Sequence, residues 1–351
     1  MQANHLFTRA KPTALTVAVG ALGALIGWAL SAPVFMLLGP AVSVSLAGLG
    51  GVKVAIDPRL RDTCFVILGL AVGAGFDADA LAAMIRWPLA FVFMALVMWG
   101  ILVTCRSLLV RFFGFEPRAA LLAAAPGHLS FVVAMAADLG SDLARISITQ
   151  SVRLLSLTIV VPFIALAMGI EVSSNIAPQG EAIVYPRLAV LFVISLAVGL
   201  LFVRLGVPAP LLMGAMVVSA LGHLTNWAPG VLPEWLILPA YLVLGSLIGT
   251  RFAGITFADL RRGLGAGLAV TGIAVAFAGS AAIPVAWALG MPVAHVLVAF
   301  APGGLETMIA MGAVLGVVPG FVAACHIARL FVLTFLLPAM LARTVRNKAT
   351  E

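Results

Sequence analysis

Long apolar runs, each broken by a few polar or charged residues, set the pattern of this chain. A membrane-spanning helix needs about 20 predominantly apolar residues. Runs near that length fall at 13–31, 34–52, 63–80, 87–105, 119–137 and 145–169, and again at 187–203, 209–226, 236–252, 264–289, 293–316 and 319–342. Between the two sets lies the most polar stretch, 171–186, with Glu171, Ser173, Ser174, Asn175, Gln179 and Glu181. The pattern predicts an N-terminal membrane repeat over 1–170, a linker over 171–186 and a C-terminal membrane repeat over 187–351.

The two sets match residue by residue. An offset of 176 carries Pro126 onto Pro302, Gly69 and Gly73 onto Gly245 and Gly249, Met135 onto Met311, Arg153 onto Arg329 and Pro162 onto Pro338. An offset of 175 carries Pro33 and Gly39 onto Pro208 and Gly214. The positive loop charges do not follow this mapping. Lys53, Arg59 and Arg61 follow the second run, but no Lys or Arg lies between Asn226 and Leu236. Arg251, Arg261 and Arg262 follow the matching third run, where the first half has Asp77, Asp79 and only a late Arg86. Arg106, Arg111 and Arg118 follow the fourth run, whereas 280–294 has none. Positive residues stay on the cytoplasmic side, so equivalent loops are expected to face opposite sides.

Inverted halves require an odd number of crossings each. The fifth run is the one expected not to cross, because Pro126-Gly127 and Pro302-Gly303-Gly304 interrupt it. Such backbone survives at membrane depth only inside protein or beside a wet cavity. The expected fold is an all-α polytopic membrane protein of two inverted repeats. Each has about five transmembrane helices plus a re-entrant segment broken at Pro-Gly. Arg9, Lys11, Arg343, Arg346 and Lys348 put both termini in the cytoplasm, in a bacterial cytoplasmic (inner) membrane. The alternative is six plain crossings per half and a parallel repeat. Glycines spaced as GxxxG, at Gly23/Gly27, Gly69/Gly73 and Gly245/Gly249, are expected chiefly to let helices approach closely.

Composition fits a bilayer rather than a soluble domain: 63% of residues are hydrophobic and 9% charged, with a mean hydropathy of +1.19. The net charge of +7 is read as cytoplasmic loop charge, not as a nucleic-acid surface, since no basic stretch is interleaved with aromatics. Cys64, Cys105 and Cys325 form no CxxC pair, which argues against a disulfide framework or metal cluster. The first run, although it follows Arg9 and Lys11, is read as the first helix rather than a signal peptide.

Charged residues inside spans are functional candidates. Arg329 lies deep in the last run and Arg153 in its counterpart. Three residues before them, on the same helix face, stand His326 and Gln150. Glu306 and Thr307 follow Gly303 and Gly304, whereas Ser130 and Phe131 stand at the matching places and His128 replaces Gly304. The candidate substrate-binding set is Pro126, Gly127, His128, Ser130, Gln150, Arg153, Gly303, Gly304, Glu306, Thr307, His326 and Arg329. Half-helix N-termini beside two arginines suit an anion, while Glu306 could carry a coupling H⁺ or Na⁺ or else neutralise Arg329. The arginines could instead only tie broken-helix carbonyls together. Asp138, Asp142 and Arg145 read as a solvated helix end.

Ala301-Pro302-Gly303-Gly304-Leu305-Glu306, with 321–329 through Cys325-His326 to Arg329, resembles the AbrB-duplication membrane family. So do Ala125-Pro126-Gly127 and Gln150 to Arg153 in the first half. Its members carry labels such as AbrB-family regulator or ammonia monooxygenase. In the family pattern the acid comes one position later, followed by Met; here Thr307 stands there, and the first copy has no acid nearby. The resemblance covers nearly the whole chain and implies membrane location and fold more than substrate.

These readings lead to a secondary transporter of a small organic anion, with a carboxylate in view, coupled to H⁺ or Na⁺. The alternative is a membrane-embedded sensor or regulatory subunit without transport. No Walker A motif is present, and the five histidines lack ligand spacing. The chain is therefore expected to be no enzyme and to hold no resident cofactor or metal. Expected partners are the anionic solute and the lipid bilayer, with a second copy in a homodimer as an option, and no nucleic acid. Arg329→Ala is expected to lose substrate binding in a chain that still folds.

Overall fold

Local chemistry at the ends of the apolar runs sets where the helices begin and stop. The computed structural model describes residues 2–76, 84–126, 129–169 and 180–348, with side chains left aside for 2–9, 84, 129–131, 134 and 343–348. In the first half the helices are α1 (Gln2–Ala29), α2 (Phe35–Leu49), α3 (Pro58–Gly73), α4 (Trp87–Phe113), α5 (Pro117–Ala124), α6 (Leu129–Asp138) and α7 (Leu143–Ala167). In the second they are α8 (Tyr185–Arg204), α9 (Pro210–Leu224), α10 (Glu234–Gly249), α11 (Phe257–Leu289), α12 (Val293–Phe300), α13 (Leu305–Val314) and α14 (Pro319–Lys348). Asp57 caps α3 by accepting from the Arg59 amide at 2.8 Å, with Pro58 in the first helical position. Thr256 and Asp259 close a capping box on α11. Gly114 and Gly290, at φ 61° and 66°, end α4 and α11 in the left-handed region.

Among the described residues seven helices are long and apolar enough to cross a membrane: Ala10–Ala29, Trp87–Phe113, Leu143–Ala167, Tyr185–Arg204, Glu234–Phe252, Phe257–Leu289 and Pro319–Ala342. The chain is an integral membrane protein. Phe35–Leu49, Pro210–Leu224 and Leu305–Val314 are apolar but shorter. Both fifth runs break as expected: helix stops at Ala124 and Phe300 and resumes at Leu129 and Leu305. Gly127 and His128, the centre of the first break, lie outside the described residues, as do Asp77, Asp79 and most of the linker.

The chain divides into two compact units, and each draws on both halves of the sequence. Unit 1 comprises Met1–Ile85, Pro162–Gly254 and Glu306–Val322; unit 2 comprises Arg86–Val161, Ile255–Leu305 and Ala323–Glu351.

In unit 1, α3 packs along α9 and α10 along α2. Gly69 allows the first contact: a Cβ there would overlap the Leu212 carbonyl oxygen. Gly245 allows the second, where a Cβ would overlap the Leu37 carbonyl oxygen. Gly23 meets Gly39 between α1 and α2 as Gly199 meets Gly214 between α8 and α9. Gly23–Gly39 recurs as Gly199–Gly214 at 175–176 residues further on, and Gly69–Leu212 recurs as Gly245–Leu37 with the glycine 176 residues further on and the leucine 175 residues back. Backbones this close gain dispersion contacts that bulkier residues would forbid, the main attraction between helices in lipid.

In unit 2, α11 lies against α4 and α12. Gly263 and Gly267 of α11 receive Ile148 and Val152 of α7, and Gly100 of α4 receives Phe277 of α11. Asp142 accepts from the Arg145 amide at 3.0 Å and so caps α7, while the Arg145 guanidinium donates to the Gly114 carbonyl at 3.1 Å and to that of Phe113. The helix end expected from Asp138, Asp142 and Arg145 is therefore also a lock on the C-terminus of α4.

Two arginine clasps at the helix breaks

A helix leaves its last carbonyls without intrahelical partners. Where it stops inside a membrane protein, other groups must supply the missing donors. At the first break these come from α7. Gln150 Nε2 donates to the carbonyls of Leu122 at 2.9 Å and Ala125 at 3.1 Å. Arg153 Nη1 donates to the same Ala125 oxygen at 3.2 Å, and its Nη2 donates to Gln150 Oε1 at 3.1 Å. The i, i+3 spacing of Gln150 and Arg153 brings them together on one face, as the sequence indicated.

At the second break the donors come from α14. Arg329 Nη1 donates to the Ala301 carbonyl at 3.2 Å and Nη2 to that of Gly303 at 2.9 Å. The Ala301 and Gly303 carbonyls stand at the negative end of α12, where a guanidinium is favoured twice over, by hydrogen bonding and by the helix dipole. Pro302, which offers no N–H, lies between them. His326, the counterpart of Gln150, is 0% exposed on α14.

Both arginines are buried almost completely, Arg153 at 1% and Arg329 at 0% exposure. The Nε of each has no hydrogen-bond partner among the described residues. Arg153 and Arg329 are near enough for their charges to repel each other. Among the described residues the one ion pair is Arg61–Asp62, so neither buried arginine is paired with an acid. Taking a guanidinium out of water without a counter-charge costs several kcal/mol. The bonded carbonyls offset part of that cost with partial charges only.

The remaining candidates are placed as follows. Pro126 is buried at the end of the first clasp. Ser130 is in the first turn of α6, its side chain outside the description. Gly304 is half-buried in the second break. Glu306 and Thr307 occupy the first turn of α13, Glu306 half-buried and Thr307 at 7% exposure, and both belong to unit 1. The clasp residues Gln150, Arg153, Gly303, His326 and Arg329 all belong to unit 2.

Sequence reasoning missed the acceptors themselves, because backbone carbonyls carry no residue signature. It also missed the buried thiols of Cys105 and Cys325, which are near enough to Arg153 and Arg329 respectively to interact electrostatically. Cys325 could have been found at i−4 from Arg329, whereas Cys105 sits on another helix. Among the described residues no three His, Cys, Asp or Glu converge as metal ligands.

Buried cationic clasps on interrupted helices define a polytopic membrane protein of the broken-helix kind. The chain matches the family described as transition state regulatory protein AbrB over residues 36–345, and it belongs to that family. It is 24% identical over 235 residues to "Putative regulator AbrB" of Escherichia coli (strain K12), covering 63% of this chain and 64% of that protein. It is 25% identical over 292 residues to "Uncharacterized protein YhjN" of Bacillus subtilis (strain 168), covering 78% and 75%.

Proposed function

We propose that this AbrB-family protein is a secondary active transporter of a small organic anion, with carboxylates as the leading class, coupled to H⁺ or Na⁺. Its halves are read as inverted repeats in a bacterial inner membrane, with both termini cytoplasmic. The observation that carries the reading is the pair of buried guanidiniums at the two helix breaks. Among the described residues each keeps an Nε–H beyond its carbonyl bonds and lacks an acidic partner. A bound anion would supply the missing counter-charge, and half-helix ends are where broken-helix transporters hold charged solutes. The matched glycine contacts of unit 1 support a two-fold relation between the halves. The opposite placement of loop charges supports its inversion.

The test is a thermal-shift panel of mono-, di- and tricarboxylates, amino acids and amines on detergent-purified protein, followed by uptake into liposomes. A ligand at 100 times its Kd adds about 2.7 kcal/mol of stability. Carboxylate stabilisation that is lost in Arg329→Lys, where the charge stays but the two-pronged donor does not, supports the reading. Stabilisation by amines alone overturns it. The second reading, a sensor or regulatory subunit, has the printed name of the Escherichia coli relative in its favour. Carboxylate binding with no flux in liposomes would select it.

A further inference from the structure

His223 stands one residue before the end of α9 and is half-buried, and its ring faces an acceptor on each side. Nδ1 lies 2.7 Å from the Ser219 carbonyl oxygen, and Nε2 lies 2.9 Å from the Gly230 carbonyl oxygen. Neither oxygen can donate. A neutral imidazole has one N–H and can serve only one of them; the imidazolium has two and serves both. The Ser219 hydroxyl, 3.4 Å from Nδ1, does not relieve this, because it gives its own hydrogen to the Leu70 carbonyl at 2.7 Å.

The ring holds more than its own helix. Gly230 is at φ 116°, and a Cβ on it would lie 2.8 Å from the Glu181 carbonyl oxygen and 2.9 Å from the Ile183 nitrogen, so only glycine fits so close a crossing. The next residue makes the junction. Val231 N donates to the Glu181 carbonyl at 2.9 Å, and Ile183 N donates to the Val231 carbonyl at 3.0 Å, with Ala182 and Val231 as bridge partners. His223 thus fastens to the end of α9 the loop whose Val231 pairs with the segment that leads into α8, all within unit 1.

The charged and titratable groups nearby are few. They are Glu181 on the bridged segment, Tyr185 and Arg187 in the first turn of α8, and Glu234 in the first turn of α10. On α3, Cys64 is buried, and Arg59, Arg61 and Asp62 lie in the first turns, away from the Leu70–Gly73 end that meets Ser219. Asp77 and Asp79, which follow α3, lie outside the described residues. Among the described residues none makes an ion pair with the ring.

We propose that His223 is a proton-operated staple. As imidazolium it fastens the 225–231 loop to the end of α9 and so steadies the pairing of Val231 with 181–183; on losing one proton it must release one of its two carbonyls. The staple is therefore complete on the acidic side and loosens as pH rises. In the orientation proposed above both segments are periplasmic, so the staple would respond to pH outside the cytoplasm.

Hydrogen–deuterium exchange of the full chain in detergent tests this at about pH 5.5 and about pH 8, with labelling times scaled for intrinsic exchange. The expected result is protection of the Ile183 and Val231 amides that is higher by about tenfold at the acidic pH, with no such step in α4 peptides. His223→Gln, which offers a single amide donor group and no titration, is expected to abolish the step. Equal protection at both pH values in the wild-type chain, or the same step in His223→Gln, overturns the proposal. The wild-type comparison and the ¹⁵N resonances of its histidine rings stand without the variant: a ring at residue 223 with only one protonated nitrogen at the acidic pH overturns it too.

Discussion

At the first break the Ala125 carbonyl has two side-chain donors, Arg153 and Gln150; at the second, Arg329 donates to the Gly303 carbonyl and to the Ala301 carbonyl, which also accepts from the Gly303 amide at 2.8 Å. The guanidinium-to-alanine bond recurs at the same 3.2 Å. What surrounds it does not recur. Gln150 stands between Arg153 and further carbonyls, whereas its counterpart His326 leaves Arg329 to reach Gly303 directly. The shared contact marks what a broken helix needs: a cation against carbonyls that have lost their intrahelical partners. The differing contacts mark where the two halves are free to diverge in chemistry.

Removing the donor at the second break should cost most. Arg329→Ala strips the buried Gly303 carbonyl of this bond, at about 1–3 kcal/mol, and leaves Ala301 with the Gly303 N–H, a further loss of about 0.5–1.5 kcal/mol, so about 1.5–4.5 kcal/mol in all. The expected outcome is a large fall in Tm or failure to accumulate folded protein. The sequence alone suggested that this variant would fold and merely lose ligand; the clasp adds a stability cost which that reading lacked. Wild-type Tm in the variant would show that the carbonyls find other donors and that the clasp is dispensable.

Arg153→Ala should cost less, about 1–3 kcal/mol, because Gln150 still serves Ala125 and only Gln150 Oε1 loses its donor. Gln150→Leu removes the other donor, and the double variant should show a coupling of about 0.5–3 kcal/mol, as residues in one hydrogen-bond network do. Equal Tm losses in Arg153→Ala and Arg329→Ala, or strict additivity at the first break, would erase the distinction between the two breaks.

Much of this arrangement could be read from the chain in advance. The apolar runs became helices, because hydropathy over some 20 positions is a strong signal in a bilayer protein, but their ends moved: α1 starts well before its run and α4 ends well after it. Pro126-Gly127 and Pro302-Gly303 marked the breaks because proline lacks an N–H and glycine costs a helix entropy. The pairs Gln150/Arg153 and His326/Arg329 were visible through helical spacing. Three things were not. The short lengths of α2 and α9 depend on where the chain turns, not on apolar content. The exchange of partners, α3 with α9 and α10 with α2, lies between segments far apart in sequence. It also makes the compact units cut across the two repeats that the offset suggests. The carbonyls of Leu122, Ala125 and Ala301 act through the backbone and so have no identity to read.

The smallest effect on stability is expected where the two breaks differ most in charge. Glu306 stands in the first turn of α13, and the matching place in α6 is Ser130. Glu306 is half-buried and makes no ion pair among the described residues. Glu306→Gln should therefore change stability by no more than about 1 kcal/mol, the usual worth of a negative charge at a helix N-terminus. Its effect should appear instead in coupling. If this carboxylate carries the H⁺ or Na⁺ of the proposed transport cycle, the variant keeps carboxylate-induced stabilisation but loses its dependence on Na⁺ or pH. Ser130→Glu, which copies the acid into the first break, would then add a cation dependence that the wild type lacks. A Glu306→Gln protein with unchanged ion dependence would remove the coupling role and leave the acid as a helix-end charge. A loss of several kcal/mol would show that Glu306 is more to the fold than a helix-end charge.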